Sequence, residues 1–358
     1  MCSIVLLEEF SKSRNIRDST LRTFCSAILK YESFHEMTIS ELIDEAIDDE
    51  ESCIPIKNRR IKMRLLDFRK CLLSSGLSSN TVRTYFSRVK TFYRHFEIEL
   101  PYLRDVRFGN EYVSSYGDLP KREDIRRACN VSCLALKAVI LFMSSSGCAK
   151  AEALSLTVAD FINAAGDYHD GGFIDDILNE LSFRKDIVPS FYLKRIKTSK
   201  FYYAFCSPEA SHHIVKYLIS RGRLSVDDRL FEFTDSALIY NFKKVNDSLG
   251  FGFVGHYRFF RSHSLRKFHA SNIGLSHDLV DELQGRGKTR IHEAYIKTNP
   301  RRLKEIYMSA MHNVMIFDDW IKEYASRDKK EDNCVIIENQ VINVIINFNL
   351  DGMDFRVE

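Results

Sequence analysis

The chain has 358 residues, more than one core usually organises, so two domains are expected. With 45% hydrophobic and 28% charged residues, and no apolar run near the ~20 residues of a membrane span, it reads as a soluble globular protein and not an integral membrane protein. Nine scattered cysteines without a C-x-x-C spacing argue against a zinc or redox centre, and the net charge of +3 hides a basic segment suited to a polyanion.

The start, Met1 to Glu9, has a short apolar stretch but no basic leader or cleavage site, so no export and a cytoplasmic location are expected. Residues 41 to 51 are acidic, while the run from Lys57 to Arg64 is strongly basic. Its Arg59, Arg60, Lys62 and Arg64 are candidates for DNA binding, with a solvated helix face as the equal alternative. The first hundred residues are helical in pattern. Most plainly, Val82, Tyr85, Phe86, Val89, Phe92, Tyr93 and Phe96 form one stripe of a helix capped by Ser79 or Asn80. That stripe suits burial, which leaves Arg83, Arg88, Lys90 and Arg94 on the other face as DNA candidates. Pro101 ends the helix, and the aperiodic stretch to Pro120 reads as a linker. The division expected is an N-terminal domain at 1–105, a linker at 106–120, a second domain at 121–312 and a tail at 313–358.

Beyond the linker, the pattern is helical from Lys121, with an almost wholly apolar core helix at Leu134 to Met143 and a further helix from about Ala149 to Phe161. Ile162 to Asp186 reads as an elaborated loop around a short helix at Asp175 to Leu181. Alternating β-prone residues on either side of Lys197-Thr198-Ser199-Lys200 predict a hairpin with a basic tip, whose Lys200 is a further DNA candidate. Ser207-Pro208-Glu209 opens a helix, and helices follow, including His263 to Ile273 and one from Pro300 to Met311. A C-terminal strand between Cys334 and Ile346 is expected from its Val and Ile content, and Ile316, Trp320, Ile321 and Tyr324 give the tail an amphipathic start.

Metal-free attack on a DNA phosphodiester needs a nucleophile, positive charge on the non-bridging oxygens and an acid for the leaving oxygen. Arginine suits the second task because its planar fork pairs two oxygens of one phosphate. His263 and Arg266 stand three apart, which puts both on one helix face. Alone, that pair is a weak signal.

In its surroundings it is specific. The stretch from Arg261 to Asn272 resembles the H-x-L-R box of the tyrosine recombinases, or phage integrases. Leu283-Gln284-Gly285-Arg286 resembles their next box, and Tyr295 stands nine positions after Arg286, where the family keeps its nucleophile. Upstream, Ser146-Gly147 and Glu152 to Asp160 resemble the first catalytic box, and the hairpin supplies the family's lysine. The resemblance covers residues 121 to 310 in ordered motifs, and residues 15 to 100 more loosely resemble the core-binding domain.

The resemblance implies a mainly α fold with a small antiparallel sheet, arranged as a two-domain, C-shaped DNA clamp. It implies that Tyr295 forms a 3′-phosphotyrosine, so that rejoining needs no nucleotide or metal cofactor. Arg266 would stabilise the phosphorane with help from His263, Lys197 would be the acid, with Lys194 and Lys200 as alternatives, Arg286 would replace the usual histidine or tryptophan, and Glu152 would buttress the site. Tyr307 is next in line as nucleophile. The implied partner is double-stranded DNA at attachment sites, with a homo-tetramer on DNA and a monomer when free. The implied role is integration or excision of a virus or mobile element.

One position departs. The first box places an arginine two residues after glycine, and that residue here is Ala149. An engineered change, a natural variant using Lys150 and a degenerate enzyme are the competing explanations. Lys150 lies about 100° around a helix from Ala149 and would need a locally different backbone, or its long stem, to reach in. Cleavage is expected to be impaired, and the rivals are a non-catalytic DNA-binding protein and a type IB topoisomerase.

Overall fold

A computed structural model describes residues 3–104, 115–286, 299–324 and 326. The chain forms two compact units, Met1–Val113 and Ser114–Glu358. It is mostly helical, with two small two-stranded antiparallel sheets among the described residues. No helix among them is long and apolar enough to cross a membrane.

The first unit consists of α1 (Ser3–Ser13), α2 (Asp18–His35), α3 (Ile39–Glu51), α4 (Arg60–Ser74) and α5 (Ser79–His95). The aromatic stripe of α5 is core, as its period predicts: Val82, Phe86, Val89, Phe92 and Tyr93 are buried with Phe10, Phe24, Tyr31 and Phe68. The cap is one residue earlier than expected. Ser78, in an extended conformation, accepts from the Thr81 backbone N–H, so Ser79 and Asn80 fall inside the first turn. On the opposite face Arg83 and Arg94 are exposed, whereas the Arg88 guanidinium lies 4.6 Å from the Phe24 ring centroid and the Lys90 ammonium 4.9 Å from that of Phe86.

The charge segregation read along the chain is not a segregation in space. The turn after α3 folds the start of α4 back onto the acidic residues. Asp49, only 1% exposed, accepts from the Arg60 backbone N–H at 2.6 Å and from Arg60 Nε at 2.8 Å. Glu45 takes Arg64 in a forked pair, Nε at 3.1 Å and Nη2 at 3.0 Å, and Arg59 pairs with Glu50. Carboxylates are favourable here because the N-terminus of α4 presents unpaired N–H groups and the positive end of its dipole. Asp49→Ala removes both a helix cap and a buried acceptor. We expect a loss of about 2 kcal/mol in the first unit, read by chemical denaturation of the full chain.

The second unit is built around α7 (Leu134–Ser146), a helix buried on nearly every side, which packs on α6 (Arg122–Val131), α11 (Pro208–Arg221) and α13 (Ser262–Asn272). The single helix expected from Ala149 to Phe161 is two, α8 (Lys150–Ser155) and α9 (Val158–Ala164). Thr157 and Asp160 form a capping box that starts a new helix, and Leu156 stays extended with its carbonyl accepting from Leu230 N–H at 2.8 Å. The helix foreseen in the aspartate-rich loop is α10 (Ile174–Ser182). The hairpin is β1 (Ser190–Lys194) against β2 (Phe201–Phe205), with Ser190 opposite Phe205 and Lys194 opposite Phe201. α12 (Asp235–Ser248) leads into an unforeseen ribbon, β3 (Phe253–Val254) and β4 (Tyr257–Arg258). Gly250, Gly252 and Gly255, all with positive φ, turn the chain there instead of continuing a helix. α14 (His277–Leu283) and α15 (Pro300–Ala310) follow.

Buried Glu209 on α11 accepts from the backbone N–H groups of Ile316 at 2.9 Å and Phe317 at 2.7 Å. Phe317 stacks on His213, Trp320 lies against His212, and Tyr324 donates to the Met308 carbonyl. The amphipathic start of the tail therefore docks on its own unit. The strand expected between Cys334 and Ile346 lies outside the described residues.

Candidate active site

Gly147 ends α7 in the left-handed region, φ +66°, and its N–H closes the helix onto Met143. That turn aims the Gly147 carbonyl at Arg266, whose Nη1 donates to it at 2.7 Å. Nη2 of Arg266 donates to the Gln284 carbonyl, at the end of α14, at 2.8 Å. A guanidinium only 6% exposed is thus held between the carbonyl-rich ends of two helices, the negative poles of their dipoles. Burial, and then the nearby charge of Arg195, draws its pKa down to about 10, so it stays charged at neutral pH.

The Gln284 side chain locks the arrangement. Its Nε2 donates to the Arg266 carbonyl at 3.1 Å and to His269 Nδ1 at 2.9 Å, tying α13 to α14. Burial holds His269 down at about 3, so the ring is neutral and can accept at Nδ1. Two glycines allow the close approach. A Cβ on Gly147 would lie 2.6 Å from His269 Nδ1, and one on Gly285, at φ +59°, 2.5 Å from the Tyr202 ring.

Glu152 on α8 is 3% exposed and faces the hairpin turn. Its Oε1 accepts from Ile196 N–H at 3.2 Å and lies 3.9 Å from Arg195 Nη1, while Oε2 is buried without a partner among the described residues. Arg195 Nη1 also donates to the Gln284 carbonyl, at 3.2 Å. Lys197 is exposed in the turn, and the Lys194 ammonium lies 5.7 Å from the Phe201 ring centroid. Arg266, Glu152 and the start of the hairpin turn are therefore one cluster.

His263 and Arg266 share a face of α13 but not a depth, since His263 is exposed by surface area. Enough atoms crowd it, and enough cations (Arg261, Lys267, Arg266, Arg286), that its pKa lies below the usual imidazole range. It borders a cavity of about 330 Å³ that Lys150, Arg258 and Arg261 also line. Ala149 only caps α8 with its backbone, whereas Lys150 reaches that cavity and pairs with Asp235. Arg286 is exposed and pairs with Asp281 at 3.3 Å. Tyr295 lies outside the described residues. Tyr307, the alternative nucleophile, is fully buried, donates to the Ser145 carbonyl at 3.0 Å, and has its pKa raised by burial. It is a packing residue.

Arg195, Gln284 and His269 were not singled out from sequence. Arg195 stands two residues before Lys197 at the end of a β-patterned run, a signal that basic residues converge at the tip, but nothing in the spacing points it inward.

The chain has a fold seen in site-specific recombinases. The XerH site-specific recombinase, solved as a pre-cleavage complex with its difH substrate, superposes with a TM-score of 0.51 at 16% identity, over 85% of this chain and 84% of that one. The XerA recombinase (TM-score 0.35, 14% identity, 86% of this chain and 97% of that one) and the Tn1549 transposon integrase bound to transposon right-end DNA (0.46, 12%, 86% and 99%) superpose only loosely. No family model matches the chain, and no curated protein sequence is significantly similar to it.

Gly147→Ala meets both a strained φ and a side chain 2.6 Å away. We expect it to destabilise the second unit by about 2–4 kcal/mol in denaturant melts. His269 gives a pH dependence of definite sign. Its folded pKa of about 3 lies below the ordinary 6.5, so stability is complete above pH 6.5 and declines as pH falls from there toward 3. The slope for that one proton reaches about 1.4 kcal/mol per pH unit. His269→Gln should flatten it, measured as denaturation midpoints between pH 7 and pH 4.

Proposed function

We propose that the chain is a site-specific DNA recombinase that cleaves and rejoins DNA through a 3′-phosphotyrosine at Tyr295, acting at the attachment sites of a viral or mobile element. The observation that carries this reading is the sealed Arg266 guanidinium, charged, preorganised by two helix ends, and set beside the rim residues His263 and Arg286. Such a group costs no reorganisation when charge builds on a phosphorane, which is where enzymes gain most. Lys197, at the exposed tip, is the acid for the leaving 5′ oxygen, and Glu152 positions the turn that carries it. The first unit is the core-binding domain, and four copies act on two duplexes.

Ala149 favours a degenerate, non-catalytic DNA-binding protein as the second reading. Against it stands Lys150, whose side chain lines the cavity that His263 borders and would serve as the cation there on exchanging Asp235 for a phosphate. A type IB topoisomerase would share the chemistry and relax DNA without choosing a site.

Phosphotyrosine trapping on nicked duplexes carrying the ends of the encoding element tests the proposal. Tyr295→Phe should abolish the adduct and leave gel-shift affinity nearly unchanged, because only the nucleophilic oxygen is lost. An adduct that persists puts the nucleophile elsewhere, and wild type without any adduct favours the degenerate reading. Lys150→Ala should slow adduct formation, whereas cleavage that is untouched by it and accelerated by Ala149→Arg would place the cation at 149.

For DNA contact in the first unit, the exposed Arg83 and Arg94 of α5 replace Arg59, Arg60 and Arg64, which serve the α3–α4 junction. Alanine at Arg83 or Arg94 should reduce the salt slope of binding by about 1 each. Alanine at Arg60 or Arg64 should lower stability and leave the slope unchanged.

A further inference from the structure

We infer that Arg195 is a second phosphate-binding arginine, whose guanidinium joins that of Arg266 on one anionic group. This rests on the recombinase reading above and adds to it a residue for the charge that Ala149 does not carry.

The two guanidinium groups meet on a single acceptor. Arg266 Nη2 and Arg195 Nη1 donate to the same Gln284 carbonyl oxygen, at 2.8 and 3.2 Å. Like charges brought this close in a site shielded from water repel, and an effective anion between them relieves that repulsion. The carboxylate at hand is Glu152, 3.9 Å from Arg195 Nη1, with Oε1 already accepting from Ile196 N–H. Two guanidinium groups against one carboxylate leave a net positive charge. One 3.2 Å bond to a neutral carbonyl and one loose ion pair are little for a guanidinium whose side chain is only 15% exposed. A purely structural strut would not need a full charge placed beside another one.

The geometry also explains how Arg195 is held. Its own N–H donates to the Lys200 carbonyl at 2.7 Å and its carbonyl accepts from Ser199 N–H at 2.7 Å, which closes the hairpin turn. Glu152 then fixes that turn from beneath through Ile196. Among the described residues Nε and Nη2 of Arg195 make no hydrogen bond, so the fork keeps donors for a non-bridging oxygen of the phosphate that Arg266 holds.

The test measures tungstate binding by isothermal titration calorimetry on the full chain, beside single-turnover adduct formation on the nicked duplexes. Arg195→Ala should lose at least about tenfold in tungstate affinity and about 10²–10³ in adduct rate, the usual loss for one transition-state donor. DNA affinity in gel shifts should stay within about threefold, since binding rests on many other phosphate contacts. Arg195→Lys should recover part of the anion affinity by restoring charge without the fork, an effect a structural strut would not produce. Should Arg195→Ala fail to fold, Arg195→Gln keeps a donor for the Gln284 carbonyl and carries the same expectation. Wild-type anion affinity and adduct rate in the folded variant overturn the inference while leaving the recombinase reading intact. Tungstate binding that depends on Arg195 in a chain that forms no adduct supports the phosphate site and overturns the recombinase reading. Wild type that neither binds tungstate nor forms an adduct overturns both.

Discussion

A buried guanidinium needs compensation for the water it has lost, and the second unit is arranged around supplying it to Arg266. The compensation is unusual in coming from neutral groups, the carbonyls of Gly147 and Gln284, each at the C-terminal end of a helix. A carboxylate in their place would have neutralised the charge, and the group would then be of little use to an incoming anion. Carbonyls at helix ends solvate the cation and leave its charge to act outward. The rest follows from bringing two helix ends together. Gly147 must be glycine because His269 and Gln284 occupy the space a side chain would take, and Gly285 must be glycine because the Tyr202 ring does. Gln284 bridges α13 and α14, and His269 is neutral so that it can accept from it.

The two units use charge in opposite ways. In the first, the basic run at the start of α4 meets the acidic face of α3, and Asp49, Glu45 and Glu50 satisfy Arg60, Arg64 and Arg59. These pairs hold the helix junction. In the second, the guanidinium groups of Arg266 and Arg195 meet on the Gln284 carbonyl with one buried carboxylate, Glu152, beside Arg195, so positive charge accumulates instead of cancelling. On the recombinase reading proposed above, a protein that must both hold together and grip a polyanion has reason to separate the two tasks. Internal pairs are stabilising because they are complete, and a binding site works because it is not.

The tail has its own version of the same economy. Glu209 is buried on α11, and burial pushes its carboxyl up to about 7, while the N–H groups of Ile316 and Phe317 pull it the other way. Two backbone donors at the start of a helical segment, with Phe317 and Trp320 packed on His213 and His212, hold residues 316–324 to the unit that precedes them.

The helical stripe of α5, the buried α7 and the hairpin were legible in the sequence because each depends on local rules: periodicity, capping and short spacings that survive without knowledge of neighbours. The T-x-x-D capping box at Thr157 was equally local, and it accounts for the break between α8 and α9. What sequence alone could not decide were the contacts that join distant segments. That the basic run of α4 would be neutralised by α3 depended on the turn between them. That Lys150, and not Ala149, would share a cavity with His263 depended on α8 beginning anew after the Gly147 turn. That Arg195 and Arg266, 71 residues apart in the chain, would meet on one carbonyl depended on the packing of the hairpin against α14. Side-chain chemistry is written in the sequence, but which charges cancel and which accumulate is set by distance, and distance between remote segments exists only once the chain has folded.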